Sequence, residues 1–141
     1  MKFTLTHLVF AAVLFHTAGC VTVEKPVKKE PAIIAVRNLG YADISQVHLS
    51  AVPKQQNAAT RFGSVSPVLR GVTQSVVRAR NAPALPAEML VRWTDKNGKE
   101  YRQLIKLQPL IEKSTGREDE VLLFVIQPDH RVDVILDYMH R

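Results

Sequence analysis

Cysteine is nearly absent from this chain: among 141 residues there is one, Cys20. A single thiol excludes an internal disulfide, so whatever domain forms must hold together through its core. Glycine is also scarce, with six residues and none in tandem, which excludes a phosphate-cradling glycine loop. Long hydrophobic runs are missing too. The longest uncharged apolar stretch near the start, Leu8 to Phe15, is bracketed by His7 and His16 and falls well short of the roughly 20 residues that a membrane-spanning helix needs. No stretch carries the 3.6-residue apolar period of a long amphipathic helix.

What the N-terminus does contain is Lys2, the apolar stretch, and Thr17-Ala18-Gly19-Cys20. A positive start, an apolar middle and small residues at a cut describe a cleaved export signal, and the cut would leave Cys20 first. These residues resemble the lipobox of bacterial lipoproteins, although Thr17 stands where that family usually carries Leu. The resemblance implies a diacylglycerol on Cys20, removal of residues 1–19 and a membrane anchor facing the periplasm. Val21 follows the cysteine, where an Asp would resemble an inner-membrane retention signal, so the expected residence is the outer membrane.

Residues 20–31 form the lipidated cysteine and a tether. Val21 to Pro31 mixes two prolines with Lys25, Lys28, Lys29, Glu24 and Glu30 and has no apolar face to bury. At about 3.1 Å per residue it reaches roughly 30 Å. Residues 32–141 are then expected to make one domain.

Charge is unevenly spread. Val52 to Ile111 holds ten Lys or Arg against Glu88, Asp95 and Glu100, whereas Glu112 to Arg141 holds seven acids against four bases. The domain is electrically polar. A basic surface can meet nucleic acid, anionic lipid or an acidic protein, but the arginines are scattered singly, without the interleaved aromatics of a strand binder. Outside the cytoplasm no nucleic-acid partner is expected.

From Ala32 the period is two. Strands are expected near Ile33 to Arg37, Val47 to Val52, Phe62 to Leu69, Gln74 to Arg80, Met89 to Thr94, Glu100 to Leu107, Val121 to Gln127 and Arg131 to Tyr138. Such spacing predicts an all-β, single antiparallel sandwich of about seven or eight strands. The Asn97-Gly98 pair predicts a type I′ hairpin turn, and Pro128 ends the strand before it. Alternation places Tyr101, Ile105 and Leu107 inward, and likewise Val132, Val134, Leu136 and Tyr138. Val121 to Ile126, apolar throughout, predicts a central strand covered on both faces, with Trp93 beneath it.

Chemistry-bearing patterns are thin. His48, His130 and His140 match no compact ligand spacing, and Gly63-Ser64-Val65-Ser66-Pro67 lacks the second glycine of a nucleophile elbow. Asp133 and Asp137, four apart on a strand, stand about 13 Å apart, too far for a retaining carboxylate pair. Glu118, Asp119 and Glu120 are the densest acidic cluster and read as a solvated loop. No cofactor, metal site or catalytic residue is expected, and the protein is read as a non-enzyme. Partner contacts are expected on the loops Gln55 to Thr60, Asn81 to Ala87 and Ser114 to Glu120. Arg78 and Arg80, two apart on one expected strand, are the candidate partner-binding patch.

Asn38-Leu39-Gly40, Phe62 to Pro67 and Val91 to Asp95 make the region from Ala32 to Tyr138 similar to small immunoglobulin-like or transthyretin-like sandwiches of proteobacterial lipoproteins. That resemblance implies architecture and location. The function expected is a membrane-anchored, protein-binding envelope accessory or assembly factor. The alternative is an immunity protein or inhibitor of a periplasmic toxin or lytic enzyme.

Overall fold

The computed structural model describes residues 29–52, 61–79 and 81–139. Cys20, the expected export signal and nearly all of the tether lie outside these residues. So do His140, Arg80 and the loop from Gln55 to Thr60.

Eight strands and one short helix follow in chain order: β1 (Ile33–Asn38), β2 (Ile44–Ala51), β3 (Arg61–Val65), β4 (Thr73–Val77), β5 (Glu88–Asp95), β6 (Glu100–Lys106), α1 (Gln108–Lys113), β7 (Glu120–Ile126) and β8 (Val132–Tyr138). They form two four-stranded sheets, β4-β1-β7-β8 and β3-β2-β5-β6, packed as an all-β sandwich. Each expected strand is present. Two expectations are corrected. The first sheet is mixed rather than antiparallel, because β1 pairs with β7 in parallel, Ile33 opposite Val121 through Asn38 opposite Ile126. The expected strand from Gln74 ends at Val77, so Arg78 stands outside the ladder.

The core between the sheets is apolar. Ile34 and Val36 from β1 meet Leu122, Phe124 and Ile126 from β7, with Val47, Leu49, Met89, Val91 and Trp93 across the gap. Trp93 is 3% exposed and stacks on Tyr101 with ring centroids 5.4 Å apart. Because β1 and β7 are central, their alternate side chains are buried as well: Ile33, Ala35, Val121, Leu123 and Val125 make a second cluster on the opposite face. Apolar residues without alternation in Val121 to Ile126 have this cause. Tyr138 departs from its expected inward set: it is 40% exposed, with the Arg117 guanidinium 5.2 Å above its ring.

The helix α1 was not legible as a period. It is six residues long, with Pro109 in its first turn, and it anchors through Leu107 and Ile111, both buried. Pro is tolerated there because the first N–H groups of a helix have no intrahelical partner.

The β5–β6 hairpin differs from the expected two-residue type I′ turn. At Asp95 the Gly98 N–H donates to the Asp95 carbonyl at 3.0 Å and the Asp95 N–H to the Lys99 carbonyl at 3.0 Å, which leaves a three-residue loop. Gly98 alone has positive φ, at 81°, whereas a type I′ turn would require it at Asn97 as well. The Asp95 carboxylate accepts from the N–H groups of Asn97 and Lys99 at 2.8 and 3.0 Å and fixes this geometry. The loop before β8 is built the same way, with His130 at φ 62° in the glycine position.

The requirement for positive φ at one position makes Gly98→Val destabilising by about 1 kcal/mol or more. Asn97→Val should cost much less. Thermal melts of the two variants check this, and equal midpoints would show that the left-handed position is not limiting.

Candidate functional site

Pairing register divides the sandwich into two ends. One end carries Lys29 and Glu30 where the described chain enters, the crossing from residues 81–87, and the 114–119 loop. The other carries the β5–β6 and β7–β8 hairpin loops, the segment between β1 and β2 and the segment between β3 and β4.

At the entry end, Arg78 is not an exposed cation. Its Nη1 donates to Glu30 Oε2 at 3.1 Å and to the Pro31 carbonyl at 3.3 Å, its Nη2 donates to the Pro83 carbonyl, and its side chain is 9% exposed. The same Glu30 oxygen accepts from the Leu85 N–H at 3.0 Å. Physically, the proline-containing crossing cannot complete a ladder, so its carbonyls need another donor, and a guanidinium offers five N–H groups in a planar fork. Arg78 therefore clamps the entering chain to the crossing rather than offering a patch with Arg80.

The acidic cluster is likewise used internally. Glu120 is fully buried and accepts from the Ser114 hydroxyl, from the Thr115 N–H at 3.0 Å and from the Gly116 N–H at 3.1 Å. Burial pushes its carboxyl upward, but these hydrogen bonds outweigh that and hold it below the usual carboxylate range. Asp119 pairs with Arg117 at 2.8 Å. Asp133 accepts from Gln127 at 2.9 Å and lies 3.4 Å from Arg131. Among the described residues no group of three His, Cys, Asp or Glu is placed to hold a metal ion, and no helix is long and apolar enough to cross a membrane. His130 stacks on Tyr101, ring centroids 4.2 Å apart.

The basic segment concentrates instead on the outer face of the β3-β2-β5-β6 sheet. Val47, Val91 and Trp93 point into the core, so their neighbours point out. Register aligns Ser64, His48, Arg92 and Arg102 in one row across four strands, with Gln46, Thr94 and Glu100 near it. Gln46, His48, Arg92, Thr94, Glu100 and Arg102 line a shallow depression of about 450 Å³. Arg92 and Arg102 are exposed and directly opposite. Neither guanidinium has an ion pair or hydrogen bond among the described residues. Like charges directly opposite on a sheet destabilise it. Elsewhere on the face the charges are balanced, since Lys106 lies opposite Glu88. Sequence alternation marks Arg92 and Arg102 as outward, but only strand pairing makes them neighbours.

No protein-family model matches the chain, and no curated protein matches it. Among solved structures it is similar to an NMR structure of a protein from Eubacterium rectale, at 13% sequence identity over 79% of this chain and 93% of that chain, with a TM-score of 0.45.

Two outcomes follow from the internal clamps. Arg78→Ala should lower stability by about 1–3 kcal/mol, because it removes charge-assisted hydrogen bonds to the Glu30 carboxylate and to the Pro31 and Pro83 carbonyls; a denaturant midpoint unchanged from wild type would contradict the clamp. Glu120, lowered in the native state, contributes stability that is present above its ordinary value near 4.5 and lost as pH falls through the native value. Glu120→Gln should therefore melt lower at neutral pH and flatten the acid limb of stability against pH, and parallel acid limbs would count against this.

Proposed function

We propose that this chain is a lipid-tethered, periplasm-facing, non-enzymatic binding protein that serves an envelope complex as an accessory or assembly factor, with the lipid on Cys20 and residence in the outer membrane. The observation that carries the binding reading is the Arg92–Arg102 pair. Two arginines held face to face on an exposed sheet, with Glu100 on the same face but no ion pair to either among the described residues, form a surface whose own repulsion an acidic partner relieves. Arginine suits this role because its planar fork makes paired hydrogen bonds to carboxylates.

Tethering supplies the mechanism. A lipid confines the domain to a surface and raises its effective concentration for partners on the same membrane. The charge asymmetry of the sequence becomes a difference between faces. Three of the four strands in the basic half, β3, β5 and β6, belong to one sheet, and β7 and β8 of the acidic half belong to the other. Such polarity orients an approaching partner before contact.

The test has two arms. A fatty-acid probe should label the wild-type chain and leave Cys20→Ser unlabelled; equal labelling would remove the tether. Association with the acidic protein captured by crosslinking in intact cells should slow by about tenfold in the Arg92→Glu, Arg102→Glu double variant and lose most of its salt dependence. Identical rates for wild type and variant across a salt series would remove the cationic face.

A further inference from the structure

We infer that strand β6 is an interaction edge for a second copy of this chain, which adds its own β6 antiparallel about Gln103 and joins two β3-β2-β5-β6 sheets into one. Strand β6 ends its sheet and pairs with β5 on one side only. The inference goes beyond the acidic-partner reading and does not depend on it.

Hydrogen-bond phase decides which backbone groups this edge offers. At one end of the β5–β6 ladder the Asp95 N–H donates to the Lys99 carbonyl, and at the other the Leu107 N–H donates to the Ala87 carbonyl. Bonded and non-bonded pairs alternate along an antiparallel ladder. Tyr101, Gln103 and Ile105 therefore turn their N–H and C=O groups toward β5, whereas Glu100, Arg102, Leu104 and Lys106 turn theirs away. All four of the latter are exposed. Among the described residues no hydrogen bond reaches their backbone groups.

Charge selects the occupant. A second β6 meets the free groups only in registers that set even-numbered residues opposite even-numbered ones. With the two-fold at Gln103 all seven residues pair. Glu100 then stands opposite Lys106 of the second copy at both ends, and Arg102 stands opposite Leu104. Lys106 already lies opposite Glu88 on β5, so it comes between two acids. Sliding by two residues one way sets Arg102 against Arg102, and the other way sets it against Lys106; like charges directly opposite destabilise a sheet. In the Gln103 register the two Arg102 residues are diagonal neighbours, about 7–8 Å apart. On the inner face Tyr101 meets Ile105 of the second copy, an aromatic and β-branched pair. The Gln103 amide is already satisfied, donating to the Val132 carbonyl at 2.9 Å and accepting from the Val132 N–H at 2.7 Å.

Edge strands commonly carry charge that deters pairing. Strand β8, the seven-residue edge of the other sheet, is guarded in this way: paired with itself about Ile135, its Asp133 meets Asp137. The five-residue edges offer no opposite charges, since β4 has none and β3 carries Arg61 alone. Strand β6 differs because its acid and its base sit at opposite ends and match a reversed copy of themselves. The lipid-tethered reading adds only concentration, as two copies on one membrane meet more often.

The experiment expresses full chains with two different C-terminal tags in the same bacterial cells and measures how much of one tag is captured with the other from detergent extracts. Wild-type copies should capture each other. Glu100→Lys under both tags, or Lys106→Glu under both, sets like charges at both ends and should lower capture about tenfold or more. Glu100→Lys under one tag with Lys106→Glu under the other sets Lys against Glu at both ends and should restore it. Leu104→Pro removes an edge-facing N–H that is unbonded within the chain, a change an edge strand tolerates, and should lower capture as well. Trp93 fluorescence matching wild type checks that each variant is folded. No capture between wild-type copies, equal capture by every combination, or no recovery in the mixed pair would overturn the inference. Failure here is separable from failure of the proposed function, because fatty-acid labelling reads Cys20 and the acidic-partner rates are read at Arg92 and Arg102, which these variants keep.

Discussion

Strand β1 inserts between β4 and β7, and its parallel pairing with β7 is the contact on which the rest is arranged. Both strands are buried on both faces, so the pair contributes to the main core through Ile34, Val36, Leu122, Phe124 and Ile126 and to the second cluster through Ile33, Ala35, Val121, Leu123 and Val125. At about 25 cal/mol per Å² of apolar surface, such doubly covered strands dominate the burial that stabilises a domain of this size. With no disulfide available, this noncovalent pairing joins the start of the domain to its later strands.

The same strand also sets the two ends of the molecule. Just before it, Glu30 and Pro31 are caught by Arg78 together with the crossing at Pro83 and Leu85. At its finish, Asn38 gathers the loops that present Tyr41 and Leu69. Entry of the described chain at one end and the loops gathered by Asn38 at the other give the domain a direction. The cationic row of the second sheet lies along its side, on strands β3, β2, β5 and β6.

Internal and external use of charge divide along burial. Arg78, Glu120 and Asp95 each accept or donate several hydrogen bonds to backbone that has no ladder partner, and they shape loops. Arg92 and Arg102 sit in the middle of a regular ladder that needs no side-chain donor, so their guanidinium groups have no structural task. That difference separates the arginines that build the domain from those available to a partner.

Sequence by itself determined the strands, the covered centre at Val121 to Ile126, the inward alternation of Tyr101 and Ile105, and the uneven charge, because each rests on a period or composition carried by neighbouring residues. The resemblance of the residues ending at Cys20 to a lipobox is likewise a matter of sequence. Tertiary structure alone decided the parallel β1–β7 pairing, which joins segments some ninety residues apart, and with it the role of Asn38, an ordinary polar residue in the chain. It decided that Gly98 turns in a three-residue loop, because Asp95 supplies a side-chain acceptor. It decided too that Arg78 is buried while Arg92 meets Arg102. Two residues apart on one strand share a face by local geometry, but which charges become neighbours across strands depends on register, and register is set by the whole core.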